Sequence, residues 1–293
     1  MAGLYKDIWT GETVKAFREE PENVGWLKKI KSYNDAVASN NTLNFVDLGG
    51  DPTVLVNNTT YPLAVETISD TNVAVTLNKF QTKPTAVSDD VALGLSYDKI
   101  GSVIERHREA INAEKWTRAI HAIAPASNGT KTPVLKSTNV GKIVAKDIIA
   151  LKQKFDEMHV PVQGRVLVLS PSHVADLLAE DTTFAMRYNA NTETGKIGSL
   201  YGFEIYEFTG GNPYYTVSTL AKVAYGSTPD ASTDREASVA FYAPRVMQAQ
   251  GLVKAYIDEP NTLNQQWQYN VREYYICQPL KAEALGALVY KIS

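Results

Sequence analysis

Ser170, Ser172 and His173 are the residues whose types and spacing first suggest chemistry, because a hydroxyl beside an imidazole is the beginning of an acyl-transfer nucleophile. A triad needs three groups that converge in space, and adjacency along the chain does not supply that geometry. No G-x-S-x-G elbow surrounds them. Pro171 suits the first turn of a helix, so Ser170 or Ser172 is expected to cap that helix rather than attack a carbonyl. Cys277, the single cysteine, follows Tyr274, Tyr275 and Ile276 in an apolar run and reads as an inert buried thiol. One cysteine excludes an intrachain disulfide, and one cysteine with four scattered histidines does not make a Cys-His metal centre. His107, His121 and His159 have no histidine four residues away. Asp89 and Asp90 have no further oxygen ligands nearby in sequence and are expected to cap a following helix and complement its dipole. Gly195-Lys196-Ile197-Gly198, with Gly202 beyond, departs from the phosphate-loop spacing and precedes a strand, so these read as turn glycines. The expectation is therefore no catalytic, cofactor-binding or metal-ligating residue, and no enzyme.

Composition narrows the function classes further. The chain has 293 residues, 44% of them hydrophobic, enough to bury a core. Its 29 Lys and Arg against 32 Asp and Glu give a formal charge of -3 with no long basic block, which argues against a dedicated nucleic-acid binder. Neither a basic-then-apolar leader nor a run of about 18 apolar residues occurs, so the reading is of a chain neither secreted nor embedded in a membrane.

The elements that would position any site run in a definite order. Residues 1–52 read as an N-terminal arm in which Trp26, Leu27, Ile30, Tyr33 and Val37 recur at helical spacing. Whether that stripe packs on its own subunit or on a neighbour is open at this point. Residues 53–92 alternate with period two: Leu63, Val65 and Thr67 on one strand, Val73, Val75 and Leu77 on the next. The polar stretch Ser69-Asp70-Thr71-Asn72 between them is expected to be the tip of a long β-hairpin. Two-stranded ribbons are marginal alone, which makes a neighbouring subunit the natural support and the tip the natural contact. On this reading, deleting Pro62–Thr82 leaves a folded subunit that cannot assemble.

Residues 93–143 contain a long helix from about Ser96 to Ala124, with Ile100, Ile104, His107, Ile111, Ile120 and Ile123 on one stripe, ended by Pro125. Residues 144–250 read as an α/β lobe: a helix over Val144–Met158, the buried strand RVLVLS, the helix opened by Pro171, strands in GFEIYEF, LAKVAYGS and ASVAFYA, and a short helix in APRVMQAQ. Residues 251–293 return to strand-rich sequence.

That order, together with local phrases, resembles the major capsid proteins of tailed bacteriophages with the Hong Kong 97 fold. TYPLAVETISDTNVAVTLNKFQTKPTAVSDD followed by LSYDKIGSVIERHREAI is similar to the extended loop that feeds the spine helix, and Ile123-Ala124-Pro125 to the spine's end. RVLVLSPSHVADLLAEDTTF with GKIGSLYGFEIYEF resembles the axial lobe, and AFYAPRVMQAQGLVKAYIDE with REYYICQPLKAEALGALVY the return through the peripheral lobe. The resemblance implies an α+β, Hong Kong 97-like capsid fold with N-terminal arm, extended β-hairpin loop, long spine helix, peripheral lobe and α/β axial lobe. It further implies self-assembly into hexamers and pentamers of an icosahedral virion around double-stranded DNA held by weak non-specific contact, a portal protein, and assembly in the host cytoplasm. A separate scaffolding protein or none is expected, because only some fifty residues precede the hairpin, and a decoration protein is a further partner of this class. Some members join a loop lysine to a neighbour's asparagine; the lysines on or after the hairpin here are Lys79 and Lys83, the late asparagines are Asn261, Asn264 and Asn270, and the residues alone fix no pairing among them. An encapsulin-type compartment shell shares the fold and is the alternative, with a cytoplasmic α/β enzyme built on residues 144–250 as a reading from another class.

Overall fold

The computed structural model describes residues 25–37, 41–47, 52–67, 71–88, 99–190, 196–260, 263 and 265–292. Strands β1 (Lys31–Ser32), β2 (Thr42–Asp47), β3 (Thr71–Thr76), β4 (Asn78–Gln81) and β5 (Thr85–Ser88) precede the long helix α1 (Lys99–Ile123). Strand β6 (Val134–Val140), helix α2 (Ala145–Glu157), strand β7 (Arg165–Leu169) and helices α3 (Pro171–Glu180) and α4 (Thr182–Ala190) follow. The remainder is strand: β8 (Lys196–Leu200), β9 (Phe203–Glu207), β10 (Tyr214–Thr216), β11 (Ala221–Lys222), β12 (Asp234–Tyr242), β13 (Val246–Asp258), β14 (Gln266–Pro279) and β15 (Leu285–Lys291).

Two sheets share the core. An eight-stranded sheet runs β11-β10-β12-β7-β9-β8, with β15 joining β12 to β6. Every side chain of β7 is buried, as its unbroken apolar run requires. Ile148, Leu151 and Phe155 of α2 pack on it with Leu167, Leu169 and Leu288. Because β6 and β15 complete this sheet, its membership cuts across the expected limits of 144 and 250. The second sheet is β1-β13-β14-β4, with β5 also paired to β14. Helix α1, about 38 Å long at 1.5 Å per residue, lays Ile104, Ile111, Ile120 and Ile123 into a cluster with Val271, Tyr275, Val239 and Phe241 that joins the two sheets.

Two expectations are corrected. The stripe from Trp26 to Val37 does not form an α-helix: single 3-10 turns at Leu27–Lys29 and Asn34–Ala36 flank β1, which pairs parallel to β13. Trp26 is buried edge-on against Phe208 and Phe241, so this part of the arm packs on its own subunit. The stretch APRVMQAQ has only a 3-10 turn at Ala243–Arg245 before β13 begins, since a ladder with β14 overrides its local helix preference.

Candidate inter-subunit surface

Strands β2 and β3 form a separate antiparallel ribbon in which Thr42 pairs with Thr76 and Asp47 with Thr71, pairs equally distant from Thr59. The register therefore puts the turn at residues 57–60. Asn57 has a positive φ of 54°, Asn58 Nδ2 donates to the Thr60 carbonyl at 2.8 Å, and Thr60 N–H donates to Asn58 Oδ1 at 3.2 Å. Between ladder and turn, Thr53 N–H donates to Glu66 Oε2 at 2.9 Å, and hydrogen bonding from Thr53 holds Glu66 below the usual carboxylate range. The tip is thus Asn57–Thr60 and not Ser69–Asn72. Thr71 and Asn72 lie in the ladder opposite Asp47 and Val46, while Ser69 and Asp70 fall outside the described residues. The alternation of residues 61–67 marks an extended chain, and among the described residues it has no strand partner. Asn-Asn-Thr-Thr was the overlooked turn signal.

Beyond its ladder the ribbon exposes Val54, Leu55, Val56, Tyr61, Leu63 and Val65, the last at 94%. Its foot is anchored instead. Leu43 and Val75 are buried against Leu77, Met247, Ala249 and Ile276, and Tyr33 meets Phe45 edge to face. Below that foot, His107 of α1 clamps the link from β4 to β5: its Nδ1 lies 2.7 Å from Thr82 Oγ1 and its Nε2 2.9 Å from Thr85 Oγ1. Thr82 Oγ1 also accepts the Val271 N–H at 3.1 Å, tying the link to β14. Burial pushes the His107 imidazole below its ordinary value, so it serves as a neutral crossbar. Sequence reading had placed His107 on the helix stripe without its partners.

Lys79 is exposed in β4 opposite Tyr274, and Lys83 is exposed in the link beside a cavity of about 470 Å³ lined by Arg106, His107 and Glu114. Asn270 is half-buried in β14 opposite Tyr256, and Asn261 and Asn264 lie outside the described residues. Lys115 and Glu273, absent from any sequence motif, form a buried ion pair at 2.9 Å between α1 and β14.

The residues first suspected of chemistry hold no accessible site. Ser170 stands at the N-cap of α3 but makes no side-chain cap bond, contrary to expectation. Its hydroxyl lies 3.1 Å from Ser172 Oγ, and its N–H donates to Ser238 Oγ at 3.0 Å. His173 Nδ1 is 2.6 Å from that same Ser238 Oγ, its ring edge-on to Tyr290, and burial drives the imidazole down to about 4, partly opposed by Asp176. A histidine so reluctant to take a proton, beside a fully buried serine, is a packing element. Cys277 is buried and its thiol is pushed up to about 12 by desolvation. Gly202 takes φ of 81° in the β8–β9 turn, as a turn glycine should. Asp89 and Asp90 lie outside the described residues, and no cluster of three or more metal-type ligands occurs among the described residues. No helix there is long and apolar enough to cross a membrane.

The fold agrees with what comparison finds. No curated protein matches the sequence. Among solved structures the chain is similar to one of Mycobacterium phage Che8, at TM-score 0.64 and 13% identity over 90% of each chain. It is similar to the capsid of Ralstonia phage GP4, at TM-score 0.66 and 9% identity over 90% of this chain and 87% of that one. A third, the mature capsid of bacteriophage PhiM1, gives TM-score 0.62 and 12% identity over 92% and 87%. At these identities the likeness is one of fold, and it is the Hong Kong 97-like fold. A family model described as phage capsid protein matches residues 70–290, well over half of the sequence, and the chain accordingly belongs to the phage capsid protein family as a structural major capsid protein.

Proposed function

We propose that copies of this chain assemble as hexamers and pentamers into a closed icosahedral shell around double-stranded DNA, each copy laying its ribbon over a neighbour. The observation that carries this reading is the contrast along the ribbon: a foot buried against its own subunit, and beyond it a row of exposed apolar side chains from Val54 to Val65. Such a row is unfavourable in water and is relieved by contact with another chain. Contacts of one surface with a different surface of the next copy close into rings, which suits capsomers. On this reading the subunit is non-enzymatic, assembles in the host cytoplasm beside a portal protein and a separate scaffolding or decoration protein, and touches DNA weakly. A crosslink from Lys79 or Lys83 to a neighbour's asparagine would reveal itself as ladders of mature particles on a denaturing gel.

Negative-stain electron microscopy of the expressed chain, with and without a scaffolding protein from its own gene cluster, tests the proposal. Closed shells or capsomer rings are the expected result, and a monodisperse monomer or dimer in both conditions would sink it. The compartment-shell alternative predicts a protein cargo inside the particle, where the proposal predicts nuclease-protected DNA in mature virions.

A further inference from the structure

The five-stranded sheet has two faces of different character. Its inner face, with Tyr269, Val271 and Tyr275, is buried against α1. The near end of its outer face, at Met247, Ala249 and Ile276, is covered by the foot of the chain's own ribbon. The far half of that outer face has no cover among the described residues: Leu252, Lys254, Tyr256 and Asp258 are all exposed, alternating with inward neighbours along β13. Here cations and rings interleave. Lys254 sits 5.1 Å and Arg272 5.4 Å from the centre of the Tyr256 ring, and Arg272 lies 5.5 Å from that of Tyr274. Lys79, opposite Tyr274, adds a third positive charge, while Asp258, followed by Glu259, lies at the far end.

The ribbon has the complementary composition. From Thr42 to Thr76 it carries Asp47, Asp51, Glu66 and Asp70 and no lysine, arginine or histidine. Its exposed apolar row matches a face that offers Leu252 and Tyr256. We propose that the far outer face, centred on Lys254, Tyr256 and Arg272, is the seat for the ribbon of a second copy, with Glu66 set against Lys254 and Arg272. This rests on the reading that the ribbon lies on a neighbour, and adds where it lies and what selects it. One sheet face is then covered twice by the same kind of ribbon: its own foot at the near end and a neighbour's outer part at the far end. Opposite charge steers the two together and fixes register, while apolar burial holds them.

Carbodiimide coupling of assembled, unmodified particles, followed by peptide mass spectrometry, is expected to join Glu66 to Lys254 between copies. Recovery of ribbon carboxylates joined only to other lysines would overturn the seat. In parallel, K254E/R272E is expected to stay folded by circular dichroism and to lower the yield of shells by about tenfold or more, as like charges across an interface do. Adding E66K to that same chain should restore assembly. Unimpaired assembly of the first variant, or no recovery in the second, refutes the seat. If instead removal of residues 53–66 leaves assembly intact, the ribbon reading itself has failed, and the two failures are told apart.

Discussion

Lys115 and Glu273 are almost wholly removed from water, at 1% and 0% side-chain exposure, and lie 2.9 Å apart. Desolvating two charges is costly, and the site offsets that cost with added partners: Gln250 Nε2 donates to Glu273 Oε1 at 2.8 Å, and Lys115 Nζ stands 4.9 Å from the Tyr275 ring centre. Lys115→Met should therefore cost about 3–5 kcal/mol by leaving Glu273 buried without its cation. Lys115→Met with Glu273→Leu should recover most of that loss, and equal losses in urea unfolding of the single and double variants would contradict it. His173 yields a pH prediction. Its folded value of about 4 lies below its ordinary 6.5, so below pH 6.5 the unfolded chain takes up the proton first. Its contribution is complete above pH 6.5 and declines until about pH 4, by roughly 3 kcal/mol at about 1.4 kcal/mol per unit. His107 acts in the same direction. Urea unfolding of His173→Gln between pH 7 and 4 should show a shallower loss than the parent, and parallel slopes would refute the assignment. At this scale little was legible in advance. Local sequence located His173 at the start of a helix, but its partner Ser238 stands 65 residues away. Glu273 is 158 residues from Lys115, a separation no motif spans.

Elements were legible where their own residues decide them. The helical stripe gave α1 to within a few residues, and the run RVLVL gave β7, because burial on one side or on both leaves a periodic trace. Elements decided by a distant partner were misread: residues 26–37 bend to follow β13, and residues 246–250 join β14. The ribbon turn was displaced because alternation reports an extended backbone and not which strand faces it. The end of α1 shows a device that only the fold creates. Lys222 Nζ, from β11, donates to the His121 carbonyl at 2.7 Å and the Ala124 carbonyl at 2.6 Å, closing carbonyls that a helix end leaves open. A cation there also complements the helix dipole. Desolvation nonetheless lowers its ammonium from 10.5 to about 8, so between those values the unfolded chain holds a proton that the folded subunit has released. Lys222→Met should destabilise the subunit by about 1–2 kcal/mol at neutral pH, since it removes hydrogen bonds made by a charged donor. The difference from the parent should widen between about pH 8 and 10.5 in thermal unfolding, because only the parent carries this titration, whereas a constant difference would contradict the lowered ammonium.

For the whole molecule, the deletion suggested by sequence, Pro62–Thr82, is no longer the informative one. It would remove β3 and β4, and with them Val75, Leu77 and Phe80, which are buried in two core clusters. A loss of assembly would then follow trivially from a damaged fold. The register centred on Thr59 identifies a cleaner cut: residues 53–66 replaced by an Asn-Gly turn, which suits a two-residue hairpin. Every residue removed except Asn58 is exposed, and Asn58 bonds only within the turn. Neither core cluster loses a member, so circular dichroism and melting temperature should stay close to those of the parent subunit. Sedimentation velocity should nevertheless show subunits or small oligomers under conditions in which the parent forms shells, because the apolar row meant for the neighbour is gone. Normal shells from the shortened chain would remove the ribbon from the assembly mechanism. A large fall in melting temperature would instead assign residues 53–66 to the stability of the single subunit, and the contrast between buried foot and exposed reach would lose its functional meaning.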